Sequence, residues 1–352
     1  MASNTTYTVE NKCISICIPC YNVERFLDQC LGSIFSSKLH AFLEVFVVND
    51  GSKDRTLDMA NDYAQRYPEC AFVIDKENGG HGSCINIALE RAQGKYFMVV
   101  DSDDWVNTED LTKLVQRIQD NFYQSDLISM SYQLVDEETG TITPWSHEWK
   151  PKYECQYCFD EIDTRNSYFT LAGTVFRTDI LKKKKKLLQE HIFYDDVEYI
   201  LFPIPYVNTV LYSKLNIYRY RRGREEQSVY ISNMIKRIDQ HERILKSVLD
   251  YKKNQKMSSK QEEYYDSVLQ RILLTHYSLC LDHMDNHEGN QHIREFDAYL
   301  CAEHPNLAQY MKKNMWKVAM GRTFCYRDNN ACYMFLLKLV GRIQEIIRKH
   351  NI

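Results

Sequence analysis

"MVVDSDDW", residues 98–105, decides how this chain is read. An apolar run ends, and within four positions come three carboxylates, Asp101, Asp103 and Asp104, with Ser102 among them and Trp105 behind. The run predicts a strand. A strand that stops on clustered like charge needs something to offset the repulsion. A metal ion, a substrate hydroxyl or simply water around an acidic turn would each serve.

Working outward, the same arrangement recurs. "CISICIP" (13–19), "LEVFVV" (43–48), "AFVI" (71–74) and "KYFMVV" (95–100) are short apolar runs. Between them apolar residues fall at helical spacing: Phe26, Leu27, Cys30, Leu31, Ile34 and Phe35, then Leu57, Ala60, Ala64 and Tyr67, then Ile85, Ala88, Leu89 and Ala92. Strands apolar on both faces, alternating with amphipathic helices, predict an α/β fold with a mostly parallel sheet covered on each side. Each strand stops at polar residues: Pro19-Cys20-Tyr21-Asn22, Asn49-Asp50-Gly51, Asp75 before Asn78-Gly79-Gly80, and Asp101 to Asp104. Ligands of open α/β sheets bind outside the carboxyl ends of strands. The four stops therefore predict one site on one rim.

From about Ser125 the pattern loosens. "DLISMSYQLV" (126–135) and "GTITPW" (140–145) predict a hairpin, "TVFR" (174–177) another strand, and Asp195–Tyr206 a helix interrupted by prolines. Past Gly223 the spacing turns helical over Met234–Tyr251, Gln261–His283 and Ala331–His350. The expected organisation is a tail at 1–12, an α/β domain at 13–222 with halves 13–107 and 108–222, and a helical region at 223–352.

Composition narrows the function classes. With 44 basic and 48 acidic residues the net charge is −4, so no basic nucleic-acid footprint is expected. No apolar run reaches the length of a membrane span, and the opening residues lack a secretion-signal core, which predicts a cytoplasmic protein. Its twelve cysteines are then expected reduced. Cys155 and Cys158 form a C-x-x-C pair without the second pair that a zinc site would want. "KKKKK" (182–186) is expected to be a solvated face. In "CYMFLLKLVGRIQEIIRKH" (332–350), aliphatic residues oppose Lys338, Arg342 and Lys349. Such a helix docks on its own domain or lies on a membrane surface, here the inner face.

Three chemistries suit the D-x-D besides a hydrated turn. A calcium EF-hand loop starting at Asp101 would need Gly and Glu where Val106 and Thr112 stand, so it fails. An aspartyl-phosphate phosphotransferase would use Asp101 as nucleophile, but its pattern wants Thr or Val at Trp105. The third is a divalent metal, magnesium or manganese, bridging carboxylate and diphosphate oxygens. That reading also employs Asp50, on a neighbouring strand end, as acceptor from a nucleobase or ribose.

"ISICIPCYNVERFLDQCLGSI", "LEVFVVNDGSKDRT", "ENGGHGSCINIAL" and "GKYFMVVDSDDW", in this order, resemble the nucleotide-binding half of family 2 glycosyltransferases with the GT-A fold. The likeness is close over 13–107 and continues more weakly to about residue 229. It implies an inverting transferase that takes a nucleotide-diphosphate sugar, a UDP-sugar as the first expectation. A divalent metal would assist, and the acceptor would be a glycan, lipid-linked saccharide or polymer hydroxyl. Carried over, Pro19, Tyr21 and Asn22 line the nucleoside pocket, Asp50 holds the base and Asn78 flanks it. Asp101 and Ser102 lie at the ribose, Asp103 with Asp101 on the metal, and Asp104 near the donor sugar. Trp105 either faces the sugar or packs the rim.

"FYDDVEY" stands at the family's Glu-Asp pair, making Asp196 the base and Asp195 its neighbour or a helix N-cap. Where relatives carry Arg-Asn this chain has Ile85-Asn86, and His81 replaces an aliphatic residue as a candidate donor. Without a ligand, the glycines there serve a helix entry capped by Ser83. The arginines of "YRYRRGREEQS" (218–228) would meet phosphate, or else form a loop neutralised by Glu225 and Glu226. The rival of another class is a nucleotide-sugar-binding regulatory or scaffold protein without turnover.

Overall fold

The computed structural model describes residues 12–146, 149–224, 227–284 and 286–314. They form two compact units: residues 12–224 with Asn254–Ser267, and residues 227–253 with 268–314. Most of the tail expected at 1–12 and all of 332–350 lie outside the described residues. Among the described residues no helix is long and apolar enough to cross a membrane.

The first unit is framed by a ten-stranded sheet. β1 (Ile14–Cys20), β2 (Leu43–Asp50), β3 (Ala71–Lys76) and β4 (Tyr96–Val99) pair in parallel in the order β3-β2-β1-β4. α1 (Leu27–Phe35), α2 (Thr56–Arg66) and α3 (His81–Arg91) make the crossovers. Every residue of β1 and β2 is buried, as a layer covered on both faces requires. Each such Val or Ile contributes roughly 1.5–3 kcal/mol. At the opposite end from the site, the buried Glu44 accepts from Ser15 Oγ (2.6 Å) and from the amides of Gln93 and Gly94 (2.8 Å each), fixing the entry to β4.

The second half is mixed. It runs through β5 (Trp105–Val106), α4 (Thr108–Gln119), β6 (Leu127–Asp136), β7 (Ile142–Trp145), β8 (Cys155–Cys158), β9 (Thr174–Arg177), α5 (Thr178–Leu181), α6 (Asp196–Leu201) and β10 (Thr209–Arg222). The sheet continues β4-β9-β6-β10-β5. β9 is antiparallel to both β4 and β6, whereas β6 and β10 are parallel. The hairpin β6–β7 and the strand β9 fall where the sequence puts them. The helix expected at 195–206 stops at Leu201 and resumes as a 3₁₀ turn at Ile204–Tyr206, because Pro203 and Pro205 cannot extend an α-helix.

β10 corrects a larger expectation. The first residues of the arginine stretch are strand, with Tyr218 and Tyr220 on one face and Arg219 and Arg221 on the other. The cysteines of the C-x-x-C are free and sit three apart on β8, so they point to opposite faces and cannot chelate one ion together. The lysine run is more than a solvated face: Lys182 Nζ donates to Ala92 O (2.7 Å), and Lys184 Nζ donates to Leu187 O (3.0 Å) and lies over Phe202.

The second unit is helical. α7 (Ile231–Lys236) and α8 (Ile238–Lys253) replace the single helix expected at 234–251, with the break at Arg237. α9 (Ser259–Ser278) gives its first turns to the first unit and ends in a π turn, Leu279–His283. α10 (Asn286–Glu303) and α11 (Pro305–Asn314) follow. Inside this unit His241 and His276 stack with ring centroids 5.4 Å apart, and both are buried.

Candidate active site

The carboxyl ends of β1 to β4 form the expected rim, laced by side chains. Asn22 adopts a left-handed φ of 53°, which Asn tolerates, and its Oδ1 accepts from the Lys53 amide (2.8 Å). Its own amide donates to Ser52 Oγ (3.0 Å), and the Val23 amide donates to Thr56 Oγ1 (2.9 Å). The loops after β1 and β2 are thereby one rigid lip. Pro19 is buried beneath it, and the Tyr21 ring stands 53% exposed above it.

Asp50, at the end of β2, is 3% exposed and fully employed. Its Oδ1 accepts from Lys76 Nζ (2.5 Å) and the Gly79 amide (2.8 Å), and its Oδ2 from the Gly80 amide (2.8 Å). Asn78 Nδ2 donates to the Asp50 carbonyl (3.0 Å). Gly80 has φ 84°, a conformation that favours glycine, and α3 begins immediately after it. Ser83 is not the cap: it lies in the first turn and its Oγ donates back to Gly80 O (2.7 Å).

The acidic cluster is met by β10. Tyr218 Oη accepts from the Asp101 amide (3.1 Å) and donates to Asp104 Oδ2 (2.8 Å), while the Arg221 amide donates to Asp104 Oδ1 (2.7 Å). Asp104 is 1% exposed; burial, then the charges of Asp103 and Asp101, push its pKa well above the carboxylate range. Asp103 is also raised, by burial and Asp101, with the Arg224 guanidinium on its Oδ2 working in the opposite direction. Arg221 Nε donates to Asp103 O (2.8 Å), and its guanidinium lies between the rings of Phe26 (4.9 Å) and Trp105 (4.8 Å). Trp105 thus packs the rim against a cation. Arg224 reaches Glu137 (3.4 Å), so Asp103 and Glu137 neutralise it; Glu225 and Glu226 lie outside the described residues.

Among the described residues no group of three or more His, Cys, Asp or Glu side chains is arranged to hold a metal by itself. A magnesium or manganese ion bound mainly through phosphate oxygens and water needs only one or two carboxylates. Asp103 and Asp101, each about a third exposed and set in excess negative charge, fit that thinner mode.

His81, singled out by the sequence, is the residue on which two acids converge. Its Nδ1 lies 3.0 Å from Asp195 Oδ2 and its Nε2 lies 3.1 Å from Asp101 Oδ1. Burial opposes the charged ring, but Asp195 and Asp101 outweigh it and hold the His81 pKa well above its ordinary value. Asp195 is 4% exposed and makes no side-chain cap on α6, so the capping expectation is replaced by this ion pair. Asp196 opens to solvent, yet the protein around its carboxyl and then the Asp195 charge push its pKa up to about 6, with His81 pulling the other way. Ile85 is buried, and Asn86 clamps the Leu188 backbone with bonds of 2.9 and 3.0 Å. Sequence reading missed Tyr218, Lys76 and Glu137; only the tyrosine–arginine alternation of β10 could have flagged one of them.

Residues 15–184 match the protein-family model described as Glycosyl transferase family 2. The uncharacterized glycosyltransferase EpsJ of Bacillus subtilis (strain 168) is 34% identical over 131 residues, 37% of each chain. The poly(ribitol-phosphate) beta-N-acetylglucosaminyltransferase TarS of Staphylococcus aureus (strain MW2) is 28% identical over 228 residues, 62% of this chain and 37% of TarS. The crystal structure of S. aureus TarS 1-349 in complex with UDP-GlcNAc superposes with a TM-score of 0.67 at 20% identity, covering 90% of this chain and 89% of that one. The chain thus spans little more than a third of the length of these two curated relatives. With four strand ends converging on a D-x-D rim, residues 15–184 match glycosyltransferase family 2, and the fold is GT-A, as in the TarS structure.

Proposed function

We propose that the protein is an inverting glycosyltransferase that moves a sugar from a UDP-sugar to a hydroxyl of a polymer or saccharide acceptor. One observation carries this reading: Asp196, solvent-accessible with its pKa pushed up to about 6, shares a rim with the D-x-D at the ends of β1 to β4. A base poised near the working pH can take a proton and release it again. The acceptor hydroxyl gives its proton to Asp196 as its oxygen attacks the anomeric carbon. The bond to the diphosphate breaks, its electron pair leaves with UDP, and the configuration inverts.

A divalent metal on Asp103, with Asp101, would supply charge neutralisation for the leaving diphosphate. Arg224, already on Asp103, adds a fixed positive charge there. Tyr21 offers its exposed ring to the nucleobase, Pro19, Asn22 and Asn78 shape that pocket, and Asp50 orders it by bracing Gly79 and Gly80. The buried Asp104 acts through Tyr218 and Arg221 rather than by touching the sugar. The name of TarS, poly(ribitol-phosphate) as acceptor and N-acetylglucosamine as sugar, supports a UDP-sugar donor and a polyol-phosphate polymer as the first pair to try. We place the reaction at the cytoplasmic side, where nucleotide sugars are made.

The test incubates the protein with manganese, UDP-N-acetylglucosamine or UDP-glucose, and poly(ribitol-phosphate), following UDP release and the anomeric configuration of the product. Acceptor-dependent release of UDP with inversion is expected. Retention of configuration, or a melting temperature that UDP and manganese leave unmoved, would sink the reading.

A further inference from the structure

We propose that His81 is a positioning residue that straps the donor side of the rim to the base, tying Asp101 after β4 to Asp195 before α6. This rests on the reading of Asp196 as base. The strap is a matter of geometry. One imidazole lies 3.1 Å from Asp101 through Nε2 and 3.0 Å from Asp195 through Nδ1. Each ring nitrogen thus has a carboxylate oxygen within hydrogen-bond distance, so a single side chain spans the two segments.

His191 and Tyr194 have left-handed φ values of 54° and 67°, so the chain before α6 is held in a conformation that side chains resist. Its ties to α3 and the turn before it include the His191 amide, which donates to Gly79 O (2.6 Å), Asn86, which holds Leu188, and the Asp195–His81 pair. Of these, only the Asp195–His81 pair adjoins Asp196, and only it continues to the acidic cluster at Asp101. Gly82 allows the approach: a Cβ there would meet Asp195 Oδ2 at 2.8 Å and would collide with Gln189 O.

Asp195 alone beside Asp196 would be a buried like charge. His81 satisfies it and keeps the pair in one arrangement. The charged groups facing Asp196 are Asp195 on its own segment, His81 from α3 and Asp101 from the end of β4. Removing His81 takes away the one side chain that joins Asp195 to Asp101. It also frees Asp195 to swing, which misplaces the base.

The experiment compares His81→Gln, His81→Ala, Asp195→Asn, the double variant His81→Gln/Asp195→Asn, and Asp196→Asn. UDP release from UDP-N-acetylglucosamine with poly(ribitol-phosphate) is followed from pH 5 to 9. His81→Gln should lower kcat by roughly 10- to 100-fold, the scale of a misplaced catalytic group, while donor KM moves much less. The double variant should be no worse than the poorer single one, since both break the same strap. Additive losses, or a defect confined to KM, would overturn the proposal. Asp196→Asn separates the two readings: if it leaves transfer intact, the base assignment falls, and the strap is judged on amide exchange alone. Hydrogen exchange needs no turnover. In His81→Ala it should quicken across 189–197 and stay unchanged in β1 to β3; protection retained in 189–197 overturns the strap.

Discussion

Two imidazole environments in this molecule, one half-buried and one buried, have opposite outcomes. At the rim His81 is flanked by Asp195 and Asp101, and its pKa is driven up. In the helical unit His276 is fully buried and neither ring nitrogen finds a hydrogen-bond partner among the described residues. Burial, then the neighbouring His241, His292 and Lys246, drive its pKa well below the ordinary value, and burial takes His241 down to about 4. Burial penalises the charged form in both places; the presence of carboxylates decides the sign. The rim is built to keep charge, and the helical core to exclude it.

The largest way to test this contrast is to remove the charge the rim uses. Asp196→Asn cannot accept a proton, so kcat should fall by about 10²–10⁴-fold while donor KM stays near that of the native chain. Steady-state UDP release measures both. An unaffected kcat would mean that the rim keeps its charge for binding alone.

Acid should break the other side. A histidine with a depressed folded pKa contributes stability that is present above its unfolded value near 6.5 and lost as pH falls through the folded value. For His241, from 6.5 to about 4, the loss is on the order of 3 kcal/mol once both forms are protonated. Helical circular dichroism should therefore decline between about pH 6 and pH 4. His276→Leu, which removes one titrating ring, should move the midpoint lower. A midpoint that rises instead would show that stacking of the two rings outweighs their neutrality.

A smaller effect is expected at Asp103. Calorimetry of UDP with manganese should show affinity about tenfold weaker for Asp103→Asn, the equivalent of one charge-assisted contact, and a similar loss with EDTA. Equal affinity in all three would leave the rim's excess charge without a metal. The smallest belongs to Arg25, an exposed side chain whose ion pair with Glu137 (2.7 Å) lies at the surface. Arg25→Gln should alter stability by less than about 1 kcal/mol, since such pairs are weak and screened. Thermal denaturation at low and high salt checks it.

The parallel half was legible because its signals are local. β1 to β4 are uninterrupted apolar runs, each followed by its polar stop, and period and composition agree. What stayed hidden depends on distant pairing. β9 inserts between β4 and β6 although some 75 residues of sequence separate it from β4, and nothing in Thr174–Arg177 names those neighbours. β10 was obscured by its arginines, which look like a loop until their alternation with Tyr218 and Tyr220 is noticed. At the site, residue types were legible and partners were not. His81 stood out by its neighbours in sequence, but its bond to Asp195 spans 114 positions. Asp195 resembles an N-cap in sequence because Asp before a helix often is one; here a closer cation took the side chain.

Gly82 carries a consequence for anyone recombining this chain with a relative. The segment just before α6 rests on the first turn of α3 at a point where no side chain fits, since even a methyl group would strike Gln189 O. A chimera that takes this segment from a relative meets that contact first. The graft and α3 are one interchangeable part, and donors of the segment should be drawn only from chains that also have glycine at this position. Transplanted alone onto a helix with alanine there, the segment would be displaced and Asp196 with it.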